Sequence, residues 1–161
     1  DKNLIEIAEI YSDMSDFYKH NLEKNQFSFY ISDTNDRIVV TDSYEVLNWE
    51  ILNEQKIING FTCYKAIGRI EENNMKGSIV KEEIFAWFSP EVSLNIGPGM
   101  YGGLPGLIFE ISTTRNTYTL DSIENNVDET KFFKINGSNT KQLNYHNYIH
   151  DYLNERSKRY N

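Results

Sequence analysis

A chain of 161 residues has the length of one domain, and its 39% hydrophobic and 14% aromatic residues supply enough apolar surface to fold rather than stay disordered. The formal net charge of -8, from 24 acidic and 16 basic residues, opposes phosphate backbones and anionic membrane surfaces, which argues against nucleic acid as a partner. No apolar run approaches the roughly 20 residues of a spanning helix, and the single cysteine, Cys63, excludes an internal disulfide or a cysteine-based zinc cluster.

The chain opens on Asp1-Lys2-Asn3-Leu4 without a basic, apolar leader, a start that a mature secreted protein with its signal peptide removed and a trimmed chain would share. Alanine stands only at positions 8, 66 and 86, whereas Ile, Tyr, Phe, Val and Thr abound, which favours strands. Residues 4 to 11 read as a strand on Ile5 and Ile7, with a helix as the alternative on Leu4, Ala8 and Tyr11. Period-two alternation then marks strands at Phe27, Phe29 and Ile31 and at Leu47, Trp49 and Ile51. Asn59-Gly60 accepts positive φ at both centres of a type I′ turn, so it closes a hairpin. Asn73-Asn74 and Gly77 separate the next two strands, the second carrying Ile84, Ala86 and Phe88; another follows at Leu107, Phe109 and Ile111.

At the end of the chain the period changes. Tyr145, Tyr148, Ile149, Tyr152 and Leu153 recur at amphipathic helical spacing. Ser138, Asn139 and Thr140 are available as N-caps, and Arg156, Lys158 and Arg159 sit toward the negative dipole end. A helix is predicted over about 140 to 158. With no repeat, low-complexity tract or linker, residues 1–161 read as a single domain. The expected fold is mainly β (α+β), a curved antiparallel sheet or partly open barrel with a C-terminal helix packed on it.

Five of the nine glycines lie between Gly97 and Gly106, and all three prolines, Pro90, Pro98 and Pro105, are close by. Proline removes donors and glycine frees φ, so this stretch is an ordered loop, with Leu104 and Pro105 expected to plug the core. The chain here resembles a family named for its own motif, the GLPGLI proteins of Bacteroidetes, in Gly103-Leu104-Pro105-Gly106-Leu107-Ile108. Further similarity lies in Trp49-Glu50-Ile51, in the run from Lys56 to Ala66, in Ala86-Trp87-Phe88 and in Gly97-Pro98. The resemblance spans roughly positions 45 to 112. It implies a periplasmic, cell-envelope or secreted protein of unknown biochemical function, and it brings no catalytic residue.

Candidate chemistry is sparse. His146 and His150 share one face of the predicted helix and form an outside candidate for a metal site, but no metalloprotease glutamate lies between them, so a solvated flank is expected and no metal or other cofactor is assigned. No nucleophile elbow exists, and Cys63 is expected to be a small buried side chain. Glu71-Glu72 and Glu82-Glu83 are adjacent, so within strands each pair points to opposite faces. Trp87, Tyr101, Leu104 and Pro105 are the candidate binding residues, beside an apolar cleft at the glycine-proline loop; both tryptophans are otherwise expected in the core.

The leading expectation is therefore a non-enzymatic binding or accessory domain for an envelope protein, peptide or apolar ligand. The alternatives are a metal-binding protein or metal-dependent hydrolase using His146 and His150, and a structural subunit of an envelope assembly.

Overall fold

The computed structural model describes residues 18–32, 37–44, 47–73, 79–123, 140–144 and 147. Two compact units share the chain, one made of Asp1–Ser43 with Asn125–Asn161 and the other of Tyr44–Glu124.

In the first unit β1 (Tyr18–Asn21), β2 (Gln26–Ser32) and β3 (Arg37–Ser43) pair antiparallel, and β9 (Thr140–Leu143) lies parallel to β3. Asn25, at φ 53, turns β1 into β2, and the Asn21 carboxamide accepts the Lys24 N–H across that turn. Tyr18 and His20 on β1 face the same side as Phe27, Phe29 and Val40. The Phe27 and Phe29 rings stack 6.3 Å apart, and Tyr18 lies 5.1 Å from Phe29.

His20 belongs to this apolar row and is 1% exposed; burial pushes its imidazole down from 6.5 to about 4. The folded protein therefore holds His20 neutral, and its contribution to stability is complete above pH 6.5 and lost as pH falls toward 4. The full loss is about 3 kcal/mol, much of it falling above pH 5, before most carboxylates titrate. Denaturant melts of the wild type between pH 7.5 and 5 should show this drop, and a His20→Phe variant should show a much flatter profile. Equal slopes for the two proteins would remove His20 as the cause.

The second unit is a meander, β4 (Asn48–Ile58), β5 (Phe61–Asn73), β6 (Ile79–Ser89), β7 (Leu107–Ser112) and β8 (Thr117–Thr119), each paired antiparallel with the next. Asn59 and Gly60, at φ 50 and 84, form the type I′ hairpin that their sequence demands. Ala66, Ile84, Ala86, Phe88, Ile108 and Ile111 line one face of the sheet and pack with Leu47 and Leu104. Trp49, Tyr64, Tyr101 and Tyr118 press against this core. A register shift after Trp87 lets Leu107, Ile108 and Phe109 all be buried, where strict alternation would expose the middle one.

Three expectations change. The strands form two open sheets rather than one curved sheet or partly open barrel: β4 and β8 end the second sheet, and β1 and β9 end the first. Alternation specifies which face a residue takes but not which strand it pairs with. The predicted helix does not begin at 140, because Thr140–Leu143 is paired in register with residues 37 to 40 of β3. Ladder hydrogen bonds there override the capping tendency of Thr140. Asn144, not Thr140, makes the cap-type contact, its side-chain carbonyl accepting the Asn147 N–H at 2.7 Å. Ser138, Asn139, residues 145, 146 and 148 to 158 of the predicted helix and the strand expected over residues 4 to 11 lie outside the described residues, His146 and His150 among them.

Candidate functional site

The glycine-proline loop joins β6 to β7 and folds back on itself. Gly103 N–H donates to the Asn95 carbonyl at 3.0 Å, Ile108 N–H to Ile96 at 2.9 Å and Leu107 N–H to Val92 at 3.1 Å. Gly102 sits where a Cβ would lie 2.6 Å from Cδ1 and Cε1 of Tyr44, and its carbonyl accepts the Trp49 indole N–H at 2.8 Å. Close backbone approach between two aromatic side chains explains glycine at this position. Leu104 inserts into the core at 1% exposure, as expected of the loop; Pro105, expected beside it, is exposed instead. Tyr101 is half-buried against the core.

Trp87 lies elsewhere. Its neighbours Ala86 and Phe88 occupy the core face, so the pleat sends Trp87 to the opposite face with Phe85. The candidate binding residues therefore divide: Tyr101 and Leu104 hold the loop to the core, and Trp87 belongs to a different surface. Of the two tryptophans expected in the core, only Trp49 packs there.

The surface around Trp87 is the chemically richest part of the described chain. Register places Lys65 opposite Trp87 on β5 and Glu110 opposite it on β7. Lys56 Nζ stands 4.4 Å from the Trp87 ring centroid and 2.8 Å from Glu110 Oε1. Lys65 Nζ lies 5.9 Å from the same ring and 5.5 Å from Phe85, and it binds both oxygens of Glu54 at 3.0 and 3.1 Å. Farther along, Arg69 bridges Glu50 at 2.9 Å and Glu83 at 3.3 Å, and these hydrogen bonds hold its guanidinium pKa above the ordinary value. Two aromatic rings are thus framed by cations, each paired with a carboxylate.

Apart from Glu83, weighed only as one of a carboxylate pair, the lysines and glutamates of this frame are not among the candidates that sequence motifs single out. A signal for them exists in the period of β5, where Lys65 and Arg69 alternate with Ala66 and Gly68, but only the register shows that they flank Trp87. Cys63 lies opposite Lys56 and is fully buried, as expected; burial pushes its thiol up, so it stays protonated and a poor nucleophile. Glu82 binds the Thr114 hydroxyl while Glu83 binds Arg69, the separation expected of adjacent strand residues. Among the described residues no group of three or more His, Cys, Asp or Glu could hold a metal ion, and no helix is long and apolar enough to cross a membrane.

Comparison with known proteins gives a partial family match and a shared fold. Residues 69–110 match the family described as "Protein of unknown function (Porph_ging)", a stretch that includes Phe85, Trp87, Glu110 and the whole glycine-proline loop. No curated protein matches the chain by sequence. "Structure of PNGF-II in C2 space group" is similar in fold with a TM-score of 0.56 and 16% identity, covering 86% of this chain and 24% of that one. "Structure of PNGF-II in P21 space group" gives 0.53 and 16%, covering 83% and 24%. The chain thus spans about a quarter of the length of the solved proteins whose strand architecture it shares.

Proposed function

We propose that this chain is a non-enzymatic binding domain of an exported, envelope-associated or secreted protein, within the GLPGLI family that its hexapeptide resembles, and that the outer face of β4 to β7 is its recognition surface. The observation that carries this reading is the Trp87 cluster: an aromatic side chain, partly exposed, with two lysines and two glutamates held around it by ion pairs. Ion pairs on a strand surface lower the entropy that a ligand must otherwise remove on binding, because the side chains are already held in place. Trp is also the residue type most enriched among binding hot spots. The family matched at residues 69–110 and the fold shared with a quarter of a longer protein are compatible with a domain that serves a larger chain.

The test is saturable co-sedimentation of the purified protein with isolated bacterial envelopes. Wild type should bind, and Trp87→Ala with Lys65→Ala should bind at least about tenfold more weakly while melting normally. Equal binding by the variant, or no saturable binding by the wild type, would overturn the reading.

A second reading, a subunit of an envelope assembly, is favoured by strand β4. It ends the sheet and carries Ile51 at 52% and Ile57 at 67% exposure, apolar side chains of the kind that protein interfaces cover.

A further inference from the structure

We infer that the ligand of the Trp87 face is a neutral polyhydroxylated chain, the chemistry of a glycan; this rests on reading that face as the recognition surface. The argument begins with charge. Lys56, Lys65 and Arg69 stand against Glu50, Glu54, Glu83 and Glu110, and all three cations lie within 2.8 to 3.3 Å of a carboxylate oxygen. An anionic ligand would have to displace a glutamate from each lysine it reached, and would then face that glutamate unneutralised. A cationic ligand meets the mirror problem at the lysines. Beside Trp87, where Lys56 pairs with Glu110 and Lys65 with Glu54, neither sign has an uncompensated countercharge waiting for it; the one surplus carboxylate of the frame lies at Arg69, which Glu50 and Glu83 share.

Hydroxyl groups have no such conflict, since each both donates and accepts. A carboxylate carries about four acceptor sites and an ammonium three donors, so a group engaged in one ion pair keeps hydrogen-bonding capacity for a neutral partner. The frame therefore presents donors and acceptors alternately across neighbouring strands, which lie about 4.8 Å apart. Phe85 and Trp87, two residues apart on one face of β6, supply the apolar complement: a sugar ring offers a C–H face as well as a hydroxyl edge. Lys56 Nζ stands over the indole 4.4 Å from its centroid and Lys65 Nζ 5.9 Å from it, so a sugar ring that reaches the uncovered part of the indole or the neighbouring Phe85 meets ammonium donors beside it.

Affinity electrophoresis of the intact chain through gels containing dextran, mannan, laminarin or xyloglucan tests the inference, with heparin as the anionic comparison. At least one neutral polysaccharide should retard the protein, with little dependence on salt, because no net charge is neutralised. Trp87→Ala should weaken that retardation at least about tenfold, Trp87→Phe less, and Ile123→Ser, a change at an exposed side chain that is not part of the frame, not at all. Thermal melts of each variant guard against loss of fold, and Trp87→Phe keeps the test open should Trp87→Ala unfold. No retardation by any neutral polysaccharide, or stronger and salt-sensitive retardation by heparin, would overturn the inference. If envelope co-sedimentation still depends on Trp87 while none of these polysaccharides competes, the glycan inference falls and the recognition face stands. If Trp87→Ala leaves envelope binding intact, the recognition face itself falls.

Discussion

Gly106→Ala is expected to destabilise the protein by at least about 3 kcal/mol, and Gly106→Val by more, lowering Tm by on the order of 10 °C. Gly106 has φ 152, and a Cβ built on it would lie 2.1 Å from the Ser89 carbonyl oxygen, 2.6 Å from the Ser89 carbonyl carbon and 2.8 Å from Pro90 Cα. All three obstacles are backbone atoms, so no rotamer change relieves the clash. Ser89 is also paired with Leu107 at the start of β7, and moving it opens the β6–β7 ladder. Gly60 provides the contrast, since at φ 84 a Cβ added to it would meet nothing within 4 Å. Gly60→Ala should cost only the left-handed strain, about 1 kcal/mol. A Gly106→Ala melt within about 2 °C of wild type, on the order of the shift expected from less than 1 kcal/mol, would show that the backbone around Ser89 yields easily.

Leu104→Ala should cost about 2–5 kcal/mol, the range for deleting a buried leucine side chain. The side chain is 1% exposed and packs with Leu47, Ala66, Ile84, Ala86, Phe88, Ile108 and Ile111. Its loop is tied on both sides of the insertion, by Gly103 N–H to Asn95 and by Leu107 N–H to Val92, so collapse onto the cavity is resisted and the cost falls toward the upper part of that range. Leu104→Met, which nearly conserves volume, should cost less than about 1.5 kcal/mol. Chemical denaturation measures both. Were Leu104→Ala to leave stability unchanged, the loop would have to be a free recognition loop rather than a plug in the core.

Sequence pattern reveals those elements whose cause is local. Asn59-Gly60 demands its hairpin, and Ile84, Ala86 and Phe88 alternate into the core as their spacing requires. The concentration of glycine and proline before Leu107 marks an ordered loop, and Leu104 and Gly106 occupy it as composition implies. What alternation does not show is partnership between distant strands. Nothing in Thr140 to Leu143 announces that this stretch runs parallel to β3, a pairing across about a hundred residues of chain.

The candidate site illustrates the same limit. Trp87 is visible in the sequence as an aromatic side chain, yet its immediate neighbours are core residues, and composition alone places it with them. The pleat reverses that placement, and the register brings Lys65 and Glu110 beside it from two other strands. Tyr101, Leu104 and Pro105 group with Trp87 in the sequence because all four flank or occupy one unusual stretch. In the fold, Leu104 closes the core from one side of the sheet while Trp87 faces away from it.

The most direct measurement uses the chain's two tryptophans, which give two indole N–H signals in an amide-correlation NMR spectrum. Trp49 donates its indole N–H to the Gly102 carbonyl beside the core, whereas Trp87 lies within the lysine-glutamate frame of the outer face. Titrated with a solubilised bacterial envelope extract, the Trp87 indole signal should shift or broaden saturably, together with the amides of Lys65 and Glu110, and the Trp49 signal should stay in place. A response at Trp49 and the glycine-proline loop without one at Trp87, or no response at either, would contradict the assignment of the outer face as the recognition surface.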